Sequence, residues 1–196
     1  MVEIKNVNVY GLDKSILDSH YPKSTINWYD ISTPKVVLDK DIQRAVRLGK
    51  VSTGTGHDSF LKGIIVQFDI KYPQYWIPEA DRYHWFDIVS SQTKSFTLKF
   101  ISIEKSINKY VDQKSLDIMN EYREKWLENP TYDNYIRLLS NVVLGYEMIM
   151  GITTNYLQLK TMYFQRKNHR LKEDWGNFIK MCEELPLFLE IIGEKK

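Results

Sequence analysis

Gly63-Ile64-Ile65-Val66-Gln67-Phe68-Asp69-Ile70 is the run on which the reading of this chain turns. Ile64, Val66, Phe68 and Ile70 fall on one side of an extended backbone, and Ile65, Gln67 and Asp69 fall on the other. That is the two-residue period of a half-buried strand. Beyond Tyr72-Pro73 the period changes. Pro78 suits a first helical turn, where its missing N–H costs nothing, and Glu79 and Asp81 lie near the positive end of the dipole. The run behind it, to Lys94, interleaves Arg82, His84, Asp87, Ser90, Ser91 and Gln92 with Tyr83, Trp85, Phe86, Ile88 and Val89. It reads as a helix anchored in a core and presenting polar groups.

Upstream, residues 2–10 have the pattern of a first strand, closed by Gly11. Leu12 to Pro34, punctuated by Pro22 and Pro34, reads as loop with room for a short helix. Asp39 or Asp41 is placed to cap a helix over Ile42, Ala45 and Val46 that ends near Gly49. Ser52-Thr53-Gly54-Thr55-Gly56-His57-Asp58-Ser59 is the most loop-like stretch. It has neither the lysine of a phosphate-binding P-loop nor the spacing of a dinucleotide fingerprint, which leaves a loop needing backbone freedom.

Downstream, Ser95-Phe96-Thr97-Leu98-Lys99-Phe100 alternates and predicts a short strand with Phe96, Leu98 and Phe100 inward. The rest is helical in grammar. Asp112 caps a segment carrying Leu116, Met119, Tyr122 and Trp126 that stops at Asn129-Pro130. Thr131 starts another through Tyr135, Ile136, Leu139 and Val143, which Gly145 and Gly151 break or bend. Thr153 or Thr154 caps a helix with Leu159, Met162, Tyr163 and Phe164. A last helix carries Trp175, Phe178, Ile179, Cys182 and Leu185 before Pro186 and an apolar tail. Strands mixed with helices, and a helix-rich C-terminal half, indicate an α+β or mixed α/β fold in one domain over 1–196.

A formal net charge of +2 does not describe a chain built to coat nucleic acid. A single cysteine, Cys182, rules out an intramolecular disulfide, and its helical spacing among apolar residues marks a buried thiol. His20, His57, His84 and His169 show no ligand spacing, so no metal site is expected. The start has no signal-type stretch and no run approaches bilayer length, so a cytoplasmic protein with no membrane partner is expected. The 13 Tyr, 8 Phe and 5 Trp supply core, interface or stacking groups alike.

Two basic groups invite chemistry. Arg82, near a helix start, is opposed by the dipole and wants an anion, which Glu79 or Asp87 could supply. Arg166-Lys167-Asn168-His169-Arg170 ends a helix, where cations are favoured in any case. Asn155, Gln158, Gln165 and Arg166 recur at intervals of three, seven and one, roughly one helical wall. Amides ending in an arginine suit a planar base and a phosphate.

Gly56-His57-Asp58-Ser59, then a strand, then Arg82-Tyr83-His84, with Asn155 and Arg166 eleven residues apart, resembles the flavin-dependent thymidylate synthase (ThyX) family. The pieces run in the family's order from about Asp41 to Glu184. The resemblance implies a thymidylate synthase complementing protein-like α+β domain, with a small antiparallel or mixed sheet. It also implies FAD, a deoxyuridine-type nucleotide and a homo-tetramer. Carried onto this chain, it assigns catalytic roles to His84 and Arg166. Nucleotide or cofactor binding falls to His57, Ser59, Arg82, Ser90, Ser91, Gln92, Lys94, Asn155, Gln158, Arg166 and Arg170. The family's Arg-His-Arg signature is altered here. Tyr83 replaces its histidine and His84 its second arginine, while Asp87, Val89, Ser90 and Gln92 replace serine, asparagine, glutamate and serine. Lys94 takes an arginine's place, and Leu157 that of a further basic residue. Three readings follow. A binding protein that keeps an anion pocket without the synthase reaction stands first, and would suit the accessory product of a phage or mobile element. An active flavin-dependent transferase stands second, and nucleic-acid binding through Lys160–Lys172 third.

Overall fold

The computed structural model describes residues 1–31 and 36–195, so the loop expectation at Pro34 lies outside the described residues. Four strands form one antiparallel sheet in the order β1-β2-β4-β3. β1 (Glu3–Tyr10) leads through Gly11, which adopts a left-handed conformation, into α1 (Leu12–Asp18), and α2 (Asp39–Gly49) follows. β2 (Ile65–Pro73) is the predicted strand. Val66, Phe68 and Ile70 are buried, while Gln67 and Asp69 face out.

Pro78 sits in the first turn of a helix, as its chemistry suggests, but that helix, α3 (Ile77–Ala80), is four residues long. The long helix expected behind it does not form. Tyr83 and Phe86 drop into the core from a turn, and Asp87–Ser91 becomes β3. Its β-branched Ile88 and Val89 favour extension, and its backbone pairs with β4 (Glu147–Asn155) from Asp87↔Thr153 to Ser91↔Met150. β4 itself was concealed by Gly145 and Gly151, which read as helix breakers. It pairs with all nine residues of β2, Phe68 opposite Ile152 and Ile70 opposite Met150. Both edge strands are bulged, β1 between Lys5 and Asn8 and β3 between Ile88 and Ser90. In the first of these, Asn6 adopts a positive φ of 53° and its amide donates to Asp69.

The strand expected over residues 95–100 is a helix, α4 (Lys94–Phe100). The outer two of the three alternating apolar residues also satisfy an i,i+4 spacing. Phe96 and Phe100 meet on the exposed face with ring centroids 5.6 Å apart, while Leu98 is buried. α5 (Gln113–Glu128) and α6 (Tyr132–Ser140) start after Asp112 and Thr131 as read, but only Thr131 caps with its side chain, and α6 stops short of Val143. The cap of α7 (Tyr156–Arg166) is Asn155 rather than Thr153 or Thr154, its side chain accepting from Gln158 N–H at 2.9 Å. α8 (Lys172–Glu184) and α9 (Phe188–Ile192) complete the chain.

The inner face of the sheet meets α8 through an aromatic cluster. Trp76 and Trp175 have centroids 5.0 Å apart, and Phe178 contacts Phe68, Phe86 and both tryptophans. Cys182 is fully buried there, and burial pushes its thiol well above the ordinary range, so it is an inert core group.

α2 and α9 touch through Gly49, where an added Cβ would lie 2.6 Å from the Ile191 carbonyl oxygen. Gly49→Ala should therefore force the two helices apart and cost about 1–3 kcal/mol in denaturant unfolding. A substitution that leaves the unfolding midpoint unchanged would contradict this packing.

Candidate functional site

Two glycines at positive φ, Gly54 (100°) and Gly56 (81°), let residues 51–58 leave α2 and turn back toward β2. The loop is exposed from Ser52 to His57 and buried at Asp58. A cleft of about 810 Å³ lies between its end, α1 with the following turn, and α2. Gly56, His57, Ser59 and Phe60 form one wall, Arg44, Arg47 and Leu48 another, and His20, Pro22 and Lys23 close it. Arg44 is structural, reaching Asp41 at 2.8 Å, Ser19 Oγ at 3.0 Å and the Ile16 carbonyl at 3.1 Å. Arg47 and Lys23 are exposed and make no salt bridge or side-chain hydrogen bond among the described residues. Asp18 is the single acid of the lining, and Lys14 holds it at 2.6 Å. The cleft thus offers uncommitted cations, an imidazole, a hydroxyl and an aromatic ring.

The other predicted residues gather elsewhere. Of the expected wall, Asn155 is spent on capping α7, while Gln158, Gln165 and Arg166 grip the chain's own 79–85 segment. Gln158 accepts from Trp85 N–H at 3.3 Å, and Gln165 accepts from Tyr83 Oη–H at 2.9 Å. Arg166 Nε donates to Tyr83 Oη at 2.7 Å, Nη1 to Glu79 Oε2 at 3.2 Å and Nη2 to the Glu79 carbonyl at 3.2 Å. Its guanidinium also lies over the Trp175 ring, 4.7 Å from the centroid. The same Glu79 Oε2 accepts from Trp175 Nε1 at 3.1 Å and faces His169 Nε2 at 3.2 Å. Leu171 N–H donates to His169 Nδ1 at 3.2 Å. Arg170, largely exposed, stands 3.8 Å from the other carboxylate oxygen. Arg166 therefore already has its anion, from within the chain.

Arg82 is exposed, and its Nε donates to the Pro78 carbonyl, one residue from the backbone group that Arg166 holds. His84 is exposed in the turn, edge-on to Trp85. Ser90 and Ser91 lie exposed on β3. The Gln92 side chain accepts from Ile149 N–H while its backbone N–H donates to the Ile149 carbonyl, so it extends the β3–β4 ladder. Lys94 opens α4. Of the predicted set, the cleft brings together His57 and Ser59 only. Sequence reading did not single out Arg47, Lys23 or Phe60 for it, and no spacing connects residues 23, 47 and 60 before the chain is folded.

Among the described residues no group of three or more His, Cys, Asp or Glu is placed to hold a metal ion, and no helix is long and apolar enough to cross a membrane.

No protein-family sequence model matches the chain, and no curated protein sequence does either. In three dimensions the likeness is extensive. ThyX from Helicobacter pylori, in a structure with FAD and dUMP, superposes with a TM-score of 0.71 at 16% identity, covering 97% of this chain and 95% of that one. A second complex of the Helicobacter pylori enzyme with FAD and dUMP gives 0.68 at 14% identity, covering 97% and 96%. The UMP/dUMP methylase PolB from Streptomyces cacaoi, bound with 5-Br dUMP, gives 0.64 at 10% identity, covering 93% and 88%. The chain has the fold of the flavin-dependent thymidylate synthases.

Removing the Glu79 carboxylate would strand Arg166 in a site where its side chain is 11% exposed. Glu79→Ala should cost about 3 kcal/mol, the order expected when one partner of a buried pair is lost. Urea unfolding measures it, and a loss under about 1 kcal/mol would show that Arg166 finds water or another anion instead.

Proposed function

We propose that this chain is a nucleotide-binding protein on the flavin-dependent thymidylate synthase fold, binding its ligand in the cleft beside His57 and Ser59 and acting without the synthase reaction. One observation carries this reading: the largest cleft described joins two residues of the family's pattern to two uncommitted cations, Arg47 and Lys23. Its volume of about 810 Å³ is within the range of small-molecule sites. Arg47 and Lys23 suit a phosphate, and Phe60 suits the face of a base. The nucleotides to test are those of the structural neighbours, dUMP and UMP.

Several of the donors that the resemblance assigns to nucleotide or cofactor binding already have partners within the chain. Gln92 accepts from Ile149 N–H and Arg82 Nε donates to the Pro78 carbonyl, while Ser90 and Ser91 lie on the exposed edge strand, where Ser91 and Gln92 line a separate cleft with Phe96 and Phe100. Arg166 is closed by Glu79. No redox step is derived for these residues. The active-transferase reading retains one point in its favour, the near-complete coverage of enzymes that carry FAD. A single domain acting as a homo-tetramer belongs to the proposal too. Ile88, Val89, Phe96 and Phe100 expose apolar surface that an interface would bury.

Native mass spectrometry of the purified protein should report four chains, one dUMP or UMP per chain and no flavin. Titration calorimetry should show Arg47→Glu weakening the nucleotide at least about tenfold, or roughly 1.4 kcal/mol. A yellow protein that binds dUMP only with FAD would favour the transferase instead. Undiminished binding by Arg47→Glu would move the ligand out of this cleft.

A further inference from the structure

Lys160 lies within α7 among Leu159, Met162 and Tyr163, on the buried side of the helix. Its ammonium reaches the Gly49 carbonyl at 2.8 Å, the Val51 carbonyl at 2.6 Å and Asp58 Oδ2 at 2.8 Å. An ammonium has three donors, so its hydrogen bonding is filled. The two charged side chains are 4% and 3% exposed. Burying such a pair is a poor way to gain stability, because desolvation offsets the attraction and an apolar side chain would pack as well. What the pair achieves is placement.

The three acceptors lie where the cleft is built. Gly49 ends α2, two residues beyond Arg47, and a cation there also meets the negative end of the helix dipole. Val51 and Asp58 are the two feet of the glycine loop, and Asp58 stands between His57 and Ser59. Between those feet, the side-chain and backbone hydrogen bonds among the described residues are local to the loop. Thr55 reaches the Ser52 carbonyl from its N–H at 3.4 Å and its hydroxyl at 3.1 Å, and Ser59 N–H reaches the Gly56 carbonyl at 3.3 Å. One ammonium therefore ties both cationic and imidazole walls of the cleft to the same helix from behind.

We propose that Lys160 is a positioning residue of the nucleotide cleft. Without touching ligand, it fixes the separation of the Arg47 wall from the His57–Ser59 wall. The inference rests on the nucleotide reading of that cleft for its ligand, and on the structure alone for the anchoring of the loop.

The test compares wild type, Lys160→Met, Asp58→Asn and the double variant K160M/D58N, each as the full chain. Thermal unfolding, dUMP titration and amide hydrogen exchange over residues 52–57 are measured on all four. Lys160→Met alone leaves a buried carboxylate unpaired and should lose both stability and affinity. The double variant removes that stranded charge, so most of the thermal stability should return. The Gly49 and Val51 carbonyls remain unheld, so dUMP affinity should stay at least about tenfold down and exchange over 52–57 should remain at least about tenfold faster. A double variant that regains affinity together with stability, or exchanges like wild type in this loop, overturns the positioning role. A wild-type chain that binds neither dUMP nor UMP removes the nucleotide reading, and the exchange rates then decide the loop's anchorage by themselves.

Discussion

Two N–H groups, from Arg166 and Trp175, converge on one oxygen of Glu79, and the His169 ring stands 3.2 Å from the same atom. This convergence fixes how the C-terminal helices meet the middle of the chain. α3 has four residues and little hydrogen bonding of its own, so it could not persist as an isolated turn. The carboxylate gives it a defined seat against α7, α8 and the turn between them. Tyr83 and Phe86 then descend into the core with the correct approach, and β3 is delivered to the open edge of β4. An aromatic cluster supplies the larger share of the burial energy, but it is tolerant of small slides. A carboxylate held by two fixed donors is not, because a displacement of about 1 Å leaves a buried charge poorly paired.

α7 carries two such commitments on opposite errands. Its middle sends Lys160 to the loop and to the end of α2, and its last residue sends Arg166 to α3. The helix is thereby the shared reference for a cleft on one side and for a closed ion cluster on the other. The difference in chemistry is that Lys160 exhausts its donors on protein groups deep inside, whereas the cations that line the cleft, Arg47 and Lys23, have no side-chain partner among the described residues. An anionic ligand would be drawn to the second kind. The arginine cluster looks the more electropositive in sequence, yet internal neutralisation makes it the less available of the two.

Much of the architecture was legible because it depends on local pattern. The alternation through Ile64, Val66, Phe68 and Ile70, the helix starts at Asp112 and Thr131, and the stop at Pro186 each act over a few residues. β4 was not legible, because Gly151 and three methionine and isoleucine neighbours fit a bent helix as well as a strand. Only its nine partners on β2 decide the matter. β3 likewise depends on an edge that exists once β4 is in place. For the candidate site the limit was distance along the chain. Lys160 meets Asp58 across 102 residues and Arg166 meets Glu79 across 87, and nothing in the spacing of either residue names its partner. The likeness to a known family singled out His57 and Ser59, which line the cleft, but Arg47 and Lys23 came from segments that the likeness did not interpret.

The irregular outer strands have a bearing on how copies of this chain can meet. An uninterrupted outer strand is a template on which another molecule's backbone can be zipped, and repetition of that step yields fibrils. Here one border is kinked at Asn6 and the other between Ile88 and Ser90, so neither presents an even row of donors and acceptors. Self-association is thereby steered away from endless end-on growth and toward contacts made by side chains, which can close on themselves and stop.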